Sequence, residues 1–264
     1  MARREDISFN KARINNLYLG DENGLLGTIV PYNTIFFERY TLEKFENDPV
    51  TSIKSGGAAG GATGAENMMC LGRNMFEYHV LGLGQTILAP SLVATGLLVS
   101  LDQVDDEGAE YSQGILARSK QAMVIGTDEF YFKLKFSIAD VSGADEVAVG
   151  FRKAEAYQAA IDDYDEMAAL NVISGDITVE TILNDGATDS TDTTDNWADG
   201  ATHTLEVYVS KAGVVTFKID GAAPTATAAF TFDDAEVVIP FFHLLHATTT
   251  PGDVILQEWE CGLQ

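Results

Sequence analysis

The strongest pattern in the chain is an alternation of apolar and polar residues. Residues 129–138 (EFYFKLKFSI) place Phe130, Phe132, Leu134, Phe136 and Ile138 on one side and Tyr131, Lys133, Lys135 and Ser137 on the other. Successive side chains of a strand point to opposite faces, so this stretch predicts a strand with one buried and one wetted face. Residues 202–210 repeat the pattern with Leu205, Val207 and Val209, and residues 214–220 with Val215, Phe217 and Ile219. Lys211, Ala212 and Gly213 turn between them, and Asp220-Gly221 supplies residues that tolerate positive φ at the next reversal. A hairpin alone is marginal in water, so its apolar face needs a partner.

Further strands are predicted at 237–245, 254–261 and 177–183, within 74–83 and 86–101, and more loosely at 34–45. Residues 147–151, reached through a turn at Ser142-Gly143, are expected to pair with 129–138. Residues 105–110 (DDEGAE) read as an acidic turn. In 153–170 the signals conflict: Ala154, Tyr157, Ile161 and Tyr164 keep helical spacing, and the expectation is a short helical or coiled insertion followed by a strand near 167–173. Strands at intervals of about a dozen residues with no long helix between them predict an all-β sandwich or barrel.

The first 54 residues are different in kind. Ile7, Ile14 and Leu17 form a weak helical stripe that Phe9 leaves, and Phe36, Phe37, Tyr40 and Phe45 are too many aromatics for a solvated tail. They predict an N-terminal extended arm, residues 1–54, in which Ile7, Phe9, Ile14, Leu17, Phe36, Phe37, Tyr40 and Phe45 make assembly contacts. Residues 55–64 (SGGAAGGATG) are a Gly-rich linker or loop, and 65–264 form the sandwich. The Gly-rich stretch lacks a GK[ST] ending and any basic residue before Arg73, which argues against a phosphate cradle.

Charge sharpens this division. Of a formal net charge of −24, residues 1–54 hold 7 Lys/Arg against 8 Asp/Glu, leaving 9 against 32 for the remainder. So acidic a body repels nucleic acid and stays soluble at high concentration, and the near-neutral arm is the part expected to meet a partner. No run of about eighteen apolar residues predicts a membrane span. The opening MARRED has no apolar run after it, so synthesis in a cytoplasm without a secretory leader is expected. Cys70 and Cys261 are too few for a disulfide framework.

The run of Asp199-Gly200, His203, Leu205/Val207/Val209, Gly213, Phe217/Ile219 and Asp220-Gly221 resembles the hairpin of concanavalin A-like jelly rolls, notably the laminin G-like and pentraxin-like branch. That family places a Trp directly before the His, whereas Trp197 stands six residues upstream here. From about Phe76 onward, with FEYHVLGLGQTILAPSLVATGL and VVIPFFHLLHATTTPGDVILQEWECGL, the chain is similar to virion structural proteins of tailed bacteriophages that carry such a jelly roll. The resemblance implies an antiparallel jelly-roll β-sandwich and a non-enzymatic capsid decoration or cement protein. It would be made in the host cytoplasm, located in the virion and homo-oligomeric, with capsid or other virion subunits as partners and neither nucleic acid nor membrane. Carbohydrate binding, as by a lectin, is the alternative it implies. Trp197, in an acidic loop, is then the residue to stack on a sugar.

Catalytic and metal chemistry find little purchase. Asp185, Asp189, Asp192, Asp195 and Asp199 line an oxygen-rich loop, and Asp189, Asp192 and Asp195 are the calcium candidates. The third position from Asp195 is Trp197 and no Glu closes the loop, so this is not an EF-hand, and no cofactor is expected. Glu258 and Glu260 share a strand face and Asp163, Asp165 and Glu166 cluster, without the E-x-D-x-x-E string of a large glycosidase family. His79, His203, His243 and His246 read as structural or surface residues, the last two on opposite faces of one strand. There is no G-x-S-x-G, and no catalytic residue is assigned.

Overall fold

A computed structural model describes residues 40–44, 50–54, 67–71, 74–81, 91–99, 108–113, 123–158, 160–246 and 253–264. Its strands are β1 (Tyr40–Lys44), β2 (Val50–Lys54), β3 (Asn67–Leu71), β4 (Asn74–Leu81), β5 (Ser91–Val93), β6 (Gly96–Val99) and β7 (Gly108–Ser112). There follow β8 (Met123–Val124), β9 (Phe130–Ile138), β10 (Ala144–Lys153), β11 (Met167–Ile173) and β12 (Asp176–Ile182). The last are β13 (Asp189–Asn196), β14 (Thr202–Val209), β15 (Val215–Ile219), β16 (Val237–His246) and β17 (Val254–Leu263). They form a seven-stranded sheet, β15-β14-β9-β17-β6-β5 with β1 also on β17, and a ten-stranded sheet, β13-β12-β11-β10-β16-β7-β4-β3-β2 with β8 on β16. The two pack as a sandwich.

Alternation decides what lies between the sheets. The apolar face of β9 meets Leu205, Val207 and Val209 of β14 and packs on Val149 and Phe151 of β10, Leu170 and Val172 of β11, and Phe242 and Leu244 of β16. A bulge between Leu256 and Glu258 changes the parity of β17, so Val254 and Leu256 point inward before it and Trp259 and Cys261 after it. Trp259 then lies edge-on to Phe76, 5.1 Å between centroids. Its Nε1 donates to Gln113 Oε1 at 3.0 Å, and Cys261 Sγ donates to the same oxygen at 3.4 Å. One side of the sandwich is closed by the stretch after β15. Phe232 N donates to Gly213 O at 3.1 Å and Val215 N to Phe230 O at 3.0 Å, while Ala226 N reaches Thr193 O of β13 at 3.1 Å. One edge of each sheet, β15 and β13, is thereby met by this stretch.

Several expectations change. β9 and β10 lie in opposite sheets, because a 3-10 turn at Val141–Gly143, whose entry Asp140 caps by accepting from Ser142 N, sends the chain across rather than back. Their apolar faces meet instead of their edges, with Phe130 and Phe151 5.0 Å apart. Of the predicted acidic turn at 105–110, residues 108–110 belong to β7, an interior strand between β16 and β4, and 105–107 lie outside the described residues. Among the described residues of 154–166 there is no α-helix, only a 3-10 turn at Ile161–Asp163 before β11. The oxygen-rich loop from Asp185 instead contains β13. Of the expected arm, β1 pairs with β17, Leu42 opposite Glu260, and β2 with β3. Residues 40–44 and 50–54 thus supply one strand to each sheet. Ile7, Phe9, Ile14, Leu17, Phe36, Phe37 and Phe45 lie outside the described residues, as does 55–64. Tyr40 stands opposite Gly262.

Candidate functional site: the outer face of the ten-stranded sheet

The parity that turns Val147, Val149 and Phe151 inward turns Glu146, Ala148, Gly150 and Arg152 outward. Glu110 and Ser112 of β7, Phe241 and His243 of β16, Asn171 of β11 and Glu180 of β12 share that outer face. Register aligns a row across five neighbouring strands: His79 opposite Glu110, Glu110 opposite His243, His243 opposite Ala148, and Ala148 opposite Asn171.

Residues 154–158 and 160–166 lie over this face as a strap. Its base is pinned where Ala154 N donates to Val237 O, Lys153 N to Glu166 O, each at 2.8 Å, and Asp165 N to Glu155 Oε1 at 2.9 Å. Ile161 and Tyr164 pack on Ala148, Met167, Ala169, Ile182 and Phe241, an apolar cluster separate from the main core. Beneath the strap Arg152 and Glu110 are wholly buried. Arg152 Nε and Nη2 donate to Glu110 Oε1 at 3.0 and 2.7 Å, and Nη1 donates to Lys153 O at 3.0 Å. Tyr164 donates its hydroxyl to Glu110 Oε2 at 2.6 Å while its ring lies 4.4 Å from the Arg152 guanidinium carbon. His243 Nδ1 is 3.8 Å from Glu110 Oε2, and its Nε2 is 3.6 Å from Glu146 Oε2. His79 stacks on Tyr157 of the strap, centroids 4.4 Å apart.

The charges follow from these contacts. Burial alone pushes the Glu110 carboxyl up, but Arg152, His243 and the Tyr164 hydroxyl overcome it and hold the group down at about 2. Burial would lower Arg152, and Glu110 more than restores it. Tyr157 and Tyr164 are pushed up, first by burial and then by the Glu110 charge. Glu110 is therefore a fixed carboxylate, Arg152 a fixed cation and both tyrosines neutral donors. Such a cluster can bind and orient; a carboxylate held that low gives no general acid near neutrality. On the same face Asn171 accepts from Val147 N at 2.9 Å and donates to Glu180 Oε2 at 2.9 Å, and burial raises Glu180.

The residues singled out from sequence mostly lie elsewhere. Trp197 belongs to the core, 2% exposed, stacked on Phe136 at 4.5 Å with Nε1 donating to Ala201 O, so it presents no ring to a sugar. Asp189, Asp192 and Asp195 run along the β13 strand and do not converge. Asp192 accepts from Thr194 N and Asp195 from Thr225 N, and no group of three His, Cys, Asp or Glu among the described residues could hold a metal ion. Glu258 and Glu260 sit on the outer face of the other sheet, where Glu260 accepts from the Tyr131 hydroxyl at 2.6 Å. Asp165 pairs with Lys153 at 3.3 Å. His203 Nδ1 lies 2.7 Å from Asp220 Oδ2, while His246 is buried at the end of β16. Of the four histidines, His79 and His243 stand on either side of Glu110, on the two strands that flank β7. Glu110 and Arg152, which hold the cluster with Tyr164, carry no local signal: each looks ordinary until the other is placed beside it, and Tyr164 shows in sequence only as an apolar-stripe member.

No family model matches the chain. No curated protein matches it either. Among solved structures, the carbohydrate recognition domain of Emp47p superposes with a TM-score of 0.52 at 11% identity, covering 86% of this chain and 95% of that one. The fold is a concanavalin A-like jelly roll. The sandwich is also similar to galectin LEC-6 of Caenorhabditis elegans, with a TM-score of 0.34, 13% identity, and coverage of 53% of this chain and 88% of that one. A protein of unknown function from Shewanella oneidensis MR-1 gives a TM-score of 0.41, 12% identity, and coverage of 85% and 79% respectively. At such identities the likeness establishes architecture and leaves the ligand to the side chains.

Proposed function

We propose that this chain is a non-catalytic glycan-binding module. The observation that carries the reading is the outer face of the ten-stranded sheet, where Glu110, Arg152, His243, Asn171 and Glu180 stand on adjacent rigid strands. Fixed planar hydrogen-bonding groups with aromatic rings beside them suit a ligand that offers hydroxyls at set spacings and apolar ring faces. The architecture shared with a carbohydrate recognition domain along 95% of that domain supports it. Hydrolysis is disfavoured, because a glycosidase needs one protonated and one ionised carboxyl facing a cleft. Glu110 is locked as a carboxylate, and Glu260 is engaged by Tyr131 and Lys133. A printed glycan array probed with the full chain, with and without calcium, tests the reading. Saturable binding to a defined glycan set is the expected result; uniform absence of binding ends it.

A second reading, a capsid decoration or cement protein of a tailed phage that assembles as a homo-oligomer on virion subunits, is favoured by the charge distribution. Residues 1–54 are nearly neutral and the remainder holds 32 acidic residues against 9 basic. Because β1 and β2 belong to the sheets, its test is removal of residues 1–39 with β1 kept. Loss of incorporation into particles by a folded protein is expected, and normal incorporation would refute it.

A further inference from the structure

Around the saturated Glu110–Arg152 pair, three side chains carry buried polar atoms with no hydrogen-bond partner: Ser112 Oγ, Tyr157 OH, and both ring nitrogens of His243. Ser112 follows Glu110 by two on β7 and so shares its face, fully buried and opposite Phe241. His243 is next to Glu110 on β16, its nearest carboxylates at 3.8 and 3.6 Å, outside hydrogen-bonding range. Tyr157 comes down from the strap and stacks on His79, opposite Glu110. Buried donors and acceptors left unmade are disfavoured and uncommon in native proteins, and a group of them on one patch calls for a ligand that completes them.

We propose that the patch beneath the strap is a closed subsite for a neutral, hydroxyl-rich ligand, gated by Tyr164; this rests on the glycan-binding reading. Tyr164 already donates a hydroxyl to Glu110 Oε2 with its ring beside Arg152 and Phe241, and so occupies the place of one ligand hydroxyl. When the strap lifts, a ligand hydroxyl replaces the phenol on Glu110. Ser112 Oγ, Tyr157 OH and the His243 ring, which between them both donate and accept, complete the others. Glu110 and Arg152 neutralise one another, and the Glu146 carboxylate faces His243, so an anionic ligand would meet unbalanced negative charge. That selects neutral sugars over sialylated or phosphorylated ones.

The test uses the full chain on a printed array of neutral and sialylated glycans, then calorimetry with the soluble methyl glycosides of mannose, glucose and galactose. Ser112→Ala and Tyr157→Phe remove hydroxyls that have no protein partner. Each should leave the melting temperature unchanged or higher while weakening sugar binding about tenfold, the equivalent of one hydrogen bond. Tyr164→Phe should tighten binding or speed association. In the parent protein, the His243 ring 15N resonances should shift on titration with the same glycosides. If a neutral sugar binds but these variants and resonances do not respond, the subsite is wrong and the module reading stands. If only sialylated glycans bind, the neutral-ligand assignment is wrong. If neither the parent nor Tyr164→Phe binds any glycan, both readings fall.

Discussion

The outer faces of the two sheets are built by the same alternation and end in opposite states. On the seven-stranded sheet, register sets Lys218 opposite Glu206, Glu206 opposite Lys133, and Lys133 opposite Glu260. Lys133 lies 4.0 Å from Glu206 and 3.9 Å from Glu260 and keeps 30% of its side chain in solvent. On the ten-stranded sheet, Arg152 and Glu110 stand two strands apart, with the His243 strand between them, and are fully buried. Sign and spacing of charge are comparable. The difference is the strap, thirteen residues or so that convert a wetted checkerboard into a dry, fully determined cluster. A polar sheet face is thus neither structural nor functional by composition; what lies over it decides.

The comparison is broken most forcefully at Arg152. Arg152→Ala leaves the Glu110 carboxylate buried without its counter-charge, with an expected loss of roughly 3–5 kcal/mol of unfolding free energy in urea. Replacing both residues, as Glu110→Leu with Arg152→Met, should recover most of that loss, because a dry ion pair gains little over well-packed apolar side chains. A cost for Arg152→Ala below about 1 kcal/mol would place the pair in the same wetted class as Lys133. Acid offers the next largest effect. The Glu110 carboxyl sits at about 2 in the fold against an ordinary 4.5, so its contribution is fully present above pH 4.5 and disappears as pH falls towards 2. A difference of that size corresponds to on the order of 3 kcal/mol. Stability against pH should fall through that window in the parent, and Glu110→Gln should flatten that part of the curve.

How much of this could be read from the residue order depends on whether the information was local. β9, β14 and β15 were legible because one face of each is wet and the alternation is visible over five or more residues. β7 was not: its five residues are all buried, and a glutamate beside an acidic run looks like a turn. Arg152, forty-two residues on, is the first of the distant partners that make Glu110 tolerable in an interior strand. The strap shows the same limit more gently. Ile161 and Tyr164 share one apolar stripe in sequence, and both are buried, but their spacing of three belongs to a 3-10 turn and a pinned loop rather than a helix. Trp197 reads as a loop residue because acids surround it in sequence, while Phe136, which stacks on it, lies sixty-one residues away. Proximity in sequence pairs β9 with β10, which a sandwich crossing does not respect.

Two smaller substitutions sharpen the contrast. Tyr164→Phe removes one buried hydrogen bond to a charged acceptor and keeps the ring over Arg152, with an expected loss of about 1.5–3 kcal/mol by denaturant titration. Lys133→Met, at the centre of the checkerboard, removes two long ion pairs and leaves Glu206 and Glu260 their tyrosine hydroxyl donors, Tyr208 and Tyr131. Its expected cost is at most about 1 kcal/mol and should shrink further in added salt, since solvent and ions screen a pair at this exposure. The salt response separates the two faces most cleanly: Lys133→Met should approach the parent as ionic strength rises, while Tyr164→Phe should stay offset by the same amount. If the Lys133 effect were large and salt-insensitive, that face would be as dry as the other, and the strap would not be what distinguishes them.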